Sequence, residues 1–282
     1  MFTNWSGGQG TPIWLEQDRW HRMGAQAAFS FRLGGVSKPP FDSLNVASHV
    51  GDDVTAVAHN RRIVARKFAV PVEDIAWADQ VHGNRVARVD ESWRRLPADK
   101  RRPFAASDAL VTDVEGVAVA VVTADCVPVL FFDPVRRVVG AAHSGWRGTV
   151  LGIVQNVLEV MVMDYGSNIR DIRAVLGPSI RSCCYEVSEA VASQLADRFG
   201  PRHVFPRPCR PGKFLVSLAS CIRQDFVRAG MCPEYIEDVG VCTSCHNDVL
   251  FSHRADGGHT GRLLGIVRLS AQNEEAYAIG RV

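Results

Sequence analysis

The chain has 282 residues, room for one large domain or two modest ones. Its 46% hydrophobic and 22% charged residues are the composition of an ordinary soluble protein with a sizeable core. Lys plus Arg (32) nearly balances Asp plus Glu (30), a net +2, so neither nucleic acid nor an anionic membrane finds an electrostatic footprint.

Met1–Trp5 runs into glycine and polar residues rather than the apolar stretch of a secretory leader, and no apolar run approaches the ~18 residues of a membrane span. The expected location is cytoplasmic. There the eight cysteines stay reduced and serve as core residues, metal ligands or nucleophiles. The short basic runs, such as Lys100-Arg101-Arg102, read as solvated faces or loop tips.

Up to Gly51 the chain is rich in Gly, Ser and Pro with short apolar runs, a pattern of strands and loops. Asp52 and Asp53 offer an N-cap to a helix with apolar positions Val54, Val57, Ala58, Val64 and Phe68. Ile75–Trp77 reads as a strand leading into Gln80-Val81-His82-Gly83, and the charged segment Glu91–Pro103 as an exposed loop. The near-continuous apolar run Gly116–Val122 fits a strand buried on both faces. Two further strands, Val127–Phe132 and Arg137–Ala142, flank the turn signal Asp133-Pro134.

Val150, Ile153, Val154, Val157, Leu158 and Met161 then follow helical spacing up to Gly166. Helices are expected over Val187–Phe199 and Leu218–Val227, closed by Gly200-Pro201 and Gly230, and strands over Tyr235–Val241 and Arg262–Leu269. The mixture implies a single α/β or α+β domain over residues 1–282.

The chemistry concentrates in Thr123-Ala124-Asp125-Cys126 and His143-Ser144-Gly145-Trp146-Arg147-Gly148. A two-residue turn closed by Asp133 and Arg136 would make Cys126 and His143 direct cross-strand partners, with Cβ atoms ~4.5–5.5 Å apart. One metal ion can bridge such a pair, and a one-residue slip in the turn would undo it. Gly145 and Gly148 would let backbone approach a ligand. The following helix would aim its N-terminus at the same place, and Arg147 would add a planar donor fork. Equally consistent are a buried Cys126 beside a hydrogen-bonded core His143, and a metal-free Cys-His nucleophilic pair. His82 has no spacing signal of its own.

Cys242-Thr243-Ser244-Cys245 has the C-x-x-C form, with Cys232 upstream. A structural zinc there needs a second pair, and the adjacent Cys183-Cys184 is poor geometry for two ligands of one ion. Redox use is less favoured still, since no helix opens at this C-x-x-C. Cys209 and Cys221 read as packing residues.

Taken together, Arg32-Leu33-Gly34-Gly35-Val36-Ser37, Gln80-Val81-His82-Gly83, Ser107-Asp108-Ala109, the two passages above, Gly177-Pro178-Ser179-Ile180, Cys183-Cys184-Tyr185-Glu186-Val187 and Asp256-Gly257-Gly258-His259-Thr260-Gly261-Arg262 make nearly the whole chain resemble the laccase-domain family. Its members are described as polyphenol oxidases, purine nucleoside phosphorylases and peptidoglycan editing factors. The resemblance implies a layered α/β sandwich with a mixed sheet, related to cysteine hydrolases. It also implies His82, Cys126 and His143 as metal ligands, with zinc as the metal and copper as the alternative. Departures are Ser144 for alanine, His253 for an aromatic residue and His259 for lysine.

The implied activity is zinc-dependent phosphorolysis of adenosine, inosine or methylthioadenosine to base and (methylthio)ribose 1-phosphate, with adenosine deamination. The alternatives are a Cys-His amidase acting on peptidoglycan precursors and a copper polyphenol oxidase. Asp125 is the candidate proton carrier, Arg147 and Arg61 the candidate cationic hydrogen-bond donors to phosphate, and Asn45 and Ser144 the candidate substrate contacts. The expected partners are a nucleoside and phosphate, and the sequence admits a homodimer.

Overall fold

In the computed structural model, the backbone of Trp5–Ser6 and residues 12–270 are described; Met1–Asn4, on which the expectation of no leader partly rests, lie outside them. The strands are β1 (Trp5–Ser6), β2 (Trp14–Glu16), β3 (Ala25–Ser30), β4 (Ile75–Trp77), β5 (Val86–Arg88), β6 (Ala109–Thr112), β7 (Ala118–Thr123) and β8 (Val127–Asp133). They continue as β9 (Val138–Ser144), β10 (Arg173–Leu176), β11 (Glu186–Ser188), β12 (Val204–Pro206), β13 (Lys213–Val216), β14 (Ile236–Asp238) and β15 (Leu263–Leu269). The helices are α1 (Asp18–His21), α2 (Val54–Lys67), α3 (Glu91–Arg94), α4 (Trp146–Leu151), α5 (Ile153–Tyr165), α6 (Glu189–Phe199) and α7 (Leu218–Ala229).

Two six-stranded sheets, ordered β1-β2-β3-β15-β7-β4 and β14-β10-β8-β9-β6-β5, carry the fold, and β11-β13-β12 form a small third sheet. Both large sheets are mixed: β4–β7, β5–β6 and β10–β14 are parallel pairs. Alternation along the strands builds three apolar interiors. Phe29, Val119, Val121 and Val267 of the first sheet meet Leu130, Phe132, Val139 and Ala141 of the second. The outer face of the second sheet (Val127, Val129, Phe131) packs on α5, α6 and α7. The outer face of the first (Ala118, Ala120, Ile266) packs on Val64, Ala65 and Phe68 of the α2 region. The chain is therefore a mixed α/β sandwich of sheets between helices. Every residue of β7, β8, β9 and β15 is buried because each sheet is covered on both sides.

Local chemistry explains most element ends. Asp53 Oδ1 accepts from the backbone N–H of Thr55 at 2.7 Å and Ala56 at 2.9 Å, capping α2. Gly166 (φ 68°) closes α5 in the left-handed conformation. The helix expected from Val150 is broken at Gly152 (φ 81°), which separates α4 from α5. The segment expected as a loop, Glu91–Pro103, contains α3, capped by Asp90, with Trp93 buried beneath Arg101 and beside Phe104. Its many charges conceal that single aromatic anchor. Strand β14 is shorter than the expected Tyr235–Val241, and the helix expected from Val187 starts at Glu189 after strand residues. Cys221 is buried as expected, whereas Cys209 is exposed at φ 59° in a turn and packs no core.

Candidate metal centre and active site

The chain crosses from the first sheet to the second through Ala124-Asp125-Cys126, between the ends of β7 and β8. At this end of the sandwich lies a cavity of about 330 Å³, within the range of small-molecule sites.

The β8–β9 hairpin differs from its expected form. Asp133 pairs with Val138, so the loop is Pro134-Val135-Arg136-Arg137; Asp133 Oδ1 accepts from the N–H of Val135 (2.8 Å) and Arg136 (3.0 Å), and Arg137 takes φ 53°. The longer loop moves the register by two residues. His143 therefore faces Pro128, and Cys126 is not its direct partner. An even shift keeps both side chains on the same face of the sheet, so the pair becomes a diagonal one and still converges. A one-residue shift would have put them on opposite faces.

His82 enters from the loop after β4. The Gln80 side chain fixes that loop like an added strand residue: its Nε2 donates to Val122 O and its Oε1 accepts from Val122 N–H, both at 2.8 Å. His82 itself has φ 62°, a left-handed conformation that needs support. The fully buried Asp108 provides it, accepting from the backbone N–H of Val81 (3.1 Å), His82 (2.9 Å) and Gly83 (2.7 Å). The same carboxylate accepts from His143 Nδ1 at 2.8 Å, and the Asp108 carbonyl accepts from the His143 N–H at 2.7 Å.

The ligand atoms of His82, Cys126 and His143 lie within 4.8 Å of one another, and the two imidazoles meet edge to face with centroids 4.7 Å apart. Nδ1 of His143 is committed to Asp108, which leaves Nε2 as its free nitrogen. One thiolate and two imidazoles form a donor set suited to zinc or copper, and three protein ligands leave a coordination position for the cavity. Gly145 shows how closely the site is built. A Cβ there would stand 3.0 Å from Cys126 Sγ and 3.1 Å from the His82 ring, and one at Gly148 would stand 2.9 Å from the Gly83 carbonyl. These glycines let the start of α4 seat against the loop that carries His82 and against Cys126. With no side-chain cap and only six residues, α4 is no strong anion site.

The charges are coupled. Burial alone would raise the Cys126 thiol, but the imidazoles of His143 and His82 outweigh it and draw the thiol down toward thiolate. Burial would lower His143, but Cys126 and Asp108 outweigh it and hold the imidazole up. At Asp108 burial works upward and loses to the His143 and Gly83 hydrogen bonds, so the carboxyl is held below its ordinary value.

Asp125 (φ 89°) lines the cavity, and its carboxylate is engaged by three donors: Thr243 Oγ1 (2.6 Å), Ser252 Oγ (2.7 Å) and the Arg254 N–H (2.7 Å). The other expected substrate residues are not in the cavity wall. Arg147 is exposed over the Trp146 ring. Arg61 stacks on Trp77 and donates to Val46 O at 2.9 Å in a neighbouring depression. The buried Ser144 hydroxyl bonds Thr149 Oγ1 at 2.9 Å. Asn45 is buried and accepts from the Arg262 N–H at 3.0 Å, so it reaches the cavity only by holding Arg262.

Instead, the wall is completed by His49, Tyr185, His253, Arg254 and Arg262. The motifs carrying them are visible in the sequence, but nothing in their spacing marks them as cavity residues. His49 is lowered first by burial and then by Arg262 and Arg61, against the opposing charge of Asp79.

Comparison with known proteins agrees with this architecture. The family model for the multi-copper polyphenol oxidoreductase laccase matches residues 26–270. The chain belongs to the multi-copper polyphenol oxidoreductase laccase family. Within it, the chain is 39% identical over 246 residues to the purine nucleoside phosphorylase YlmD of Geobacillus stearothermophilus, covering 86% of this chain and 90% of the relative. The crystal structure of YlmD from Geobacillus stearothermophilus superposes with a TM-score of 0.86 at 35% identity, over 96% of this chain and 99% of that one. The Bacillus licheniformis hypothetical protein YfiH superposes at 0.85 and 37% identity, over 93% and 97%. Among the described residues, no helix is long and apolar enough to cross a membrane.

Proposed function

We propose that this laccase-family chain is a zinc-dependent purine nucleoside phosphorylase. Adenosine, inosine or methylthioadenosine reacts with phosphate to give the base and (methylthio)ribose 1-phosphate, and adenosine is also deaminated. The carrying observation is the convergence of His82, Cys126 and His143 on a cavity whose wall also bears Arg254, Arg262 and His49. The name of the Geobacillus relative points the same way. Zinc held by His82, Cys126 and His143 would supply positive charge and Lewis acidity to the cavity.

The chain's own groups bind and orient. Phosphate needs cationic donors near the ribose anomeric carbon, and in this reading Arg254 and Arg262 take the part expected of Arg147 and Arg61. Arg262 is aimed by its Nη1 bonds to the carbonyls of Thr260 (2.9 Å) and Gly261 (3.0 Å). Tyr185 and His253 in the cavity wall supply aromatic rings of the kind a purine packs against. Asp125, with three donors on its carboxylate, positions Cys126 and the Arg254 backbone. For deamination His49, whose pKa is lowered by burial and by Arg262, is the better proton carrier.

The test is to incubate zinc-loaded protein with adenosine, with and without phosphate, and to separate the products. Adenine and ribose 1-phosphate formed only with phosphate support phosphorolysis, and inosine supports deamination. No turnover of any of the three nucleosides by protein with its zinc in place contradicts both.

One observation favours a second reading. Cys126, His143 and Asp108 line up as nucleophile, base and orienting carboxylate, the arrangement of a Cys-His amidase. Hydrolysis of peptidoglycan-type amides that survives complete demetallation would favour it.

A further inference from the structure

A second cluster lies away from the cavity ligands. The Sγ atoms of Cys183, Cys184, Cys242 and Cys245 all fall within 4.8 Å of one another. We propose that these four cysteines form a separate structural metal site that takes one thiophilic ion, zinc, through four thiolates.

The geometry answers the objection that adjacent cysteines cannot share an ion. Cys183 and Cys184 sit in a tight turn that brings both sulfurs to Cys245, at 3.6 and 3.4 Å. A tetrahedral ion with Zn–S bonds of ~2.3 Å requires sulfurs ~3.8 Å apart, so little movement closes the shell. Cys245 approaches both partners alike, whereas a disulfide would join it to one and strand the other. Cys242 and Cys245 supply the two-residue spacing of a zinc knuckle. The Arg181 backbone N–H points at Cys242 Sγ (3.4 Å), the supporting bond a ligating thiolate uses. Binding releases the thiol protons to solvent, with no oxidant or reductant involved.

The site would clamp two segments that build the cavity. The turn at Cys183–Cys184 leads directly into Tyr185, and Thr243, between the C-x-x-C ligands, holds Asp125 at 2.6 Å. The segments already touch through the Ser179–Cys242 bridge and the Thr243 N–H to Ser179 O bond at 3.2 Å. An ion here would hold the Asp125–Cys126 corner from behind without meeting substrate.

The experiment counts zinc by elemental analysis in the full-length protein, prepared reduced, and in two variants checked for folding by circular dichroism. Cys183→Ser/Cys245→Ser removes two exposed ligands and should lose one of two zinc equivalents per chain. His82→Ala/His143→Ala should lose the other and keep the thiolate-bound one. Wild-type protein refilled with cobalt should show the strong thiolate-to-metal charge-transfer and visible bands of a tetrahedral four-sulfur centre, a readout that needs no variant. Cobalt bands of a single-thiolate site only, or zinc content unchanged in the cysteine variant and absent from the histidine variant, would overturn the proposal. A Cys183–Cys245 or Cys184–Cys245 disulfide that forms in protein supplied with zinc and exposed to no added oxidant would do the same.

Discussion

Asp108 accepts a hydrogen bond from His143 Nδ1 at 2.8 Å while holding the backbone of His82 at 2.9 Å, so one buried carboxylate sets two of the three candidate ligands. Metal-ligating histidines commonly depend on such an outer partner, which fixes the tautomer and the ring orientation.

Asp108→Asn should therefore weaken metal binding by about 10- to 100-fold. An amide NH2 would face backbone N–H donors or the imidazole N–H that now meet oxygen. Competition with a chromophoric chelator measures the change. Unaltered affinity in a folded variant would mean that Asp108 does not organise the ligands.

Gly145→Ala separates site geometry from folding. Its backbone (φ −77°, ψ 177°) suits alanine, so strain there is not the issue. The added Cβ would press on Cys126 Sγ and the His82 ring. Thermal stability of the metal-free protein should fall by only ~1 kcal/mol, while metal affinity falls at least tenfold. Equal affinity in variant and parent would count against the three-residue site.

Asp125→Ala should destabilise the fold by on the order of 3 kcal/mol, because it strands two buried hydroxyls and the Arg254 N–H that now share a charged acceptor. Asp125→Asn should cost less, since asparagine tolerates the left-handed backbone at φ 89° and hydroxyl donors can turn to accept. Denaturant titration ranks the pair. Equal stability of alanine variant and parent would leave Asp125 without its positioning role.

Away from the site, burial pushes Asp225 up to about 6 despite the opposing charges of Arg198 and Arg228. A carboxyl raised above its unfolded value contributes stability below about pH 4, and that contribution is lost as pH rises through about 6. The melting-temperature advantage of the parent over Asp225→Asn should thus be larger at pH 5 than at pH 7. A difference independent of pH would contradict the shift.

What the sequence reveals follows the range of the interactions. Helix α5, with Ile153, Val154, Val157, Leu158 and Met161 on one face, is legible because it obeys its own period. The buried β7 strand is legible from its unbroken apolar run. The β8–β9 loop departs from its expected form by two residues because the Asp133 side chain stabilises a longer turn, yet pleat parity keeps Cys126 and His143 on one face. Asp108 stands in the sequence only as part of a motif, since its role arises from contacts to Gly83 and His143, distant in the chain. The adjacency of Cys183 and Cys184 argues against a four-cysteine site on paper, but it says nothing about a turn that sends both sulfurs the same way. Arg147 is close to His143 in the chain, but it projects over Trp146 while Arg262 arrives from another part of the fold.

The most direct test of the central claim follows inorganic phosphate and adenosine by phosphorus NMR in the presence of zinc-loaded parent protein and of Cys126→Ser. The expected result is a growing ribose 1-phosphate resonance with the parent, and neither that signal nor zinc at the His82–His143 site with the variant. Full phosphorolysis by the variant without zinc at the His82–His143 site, or none by the loaded parent, would contradict it.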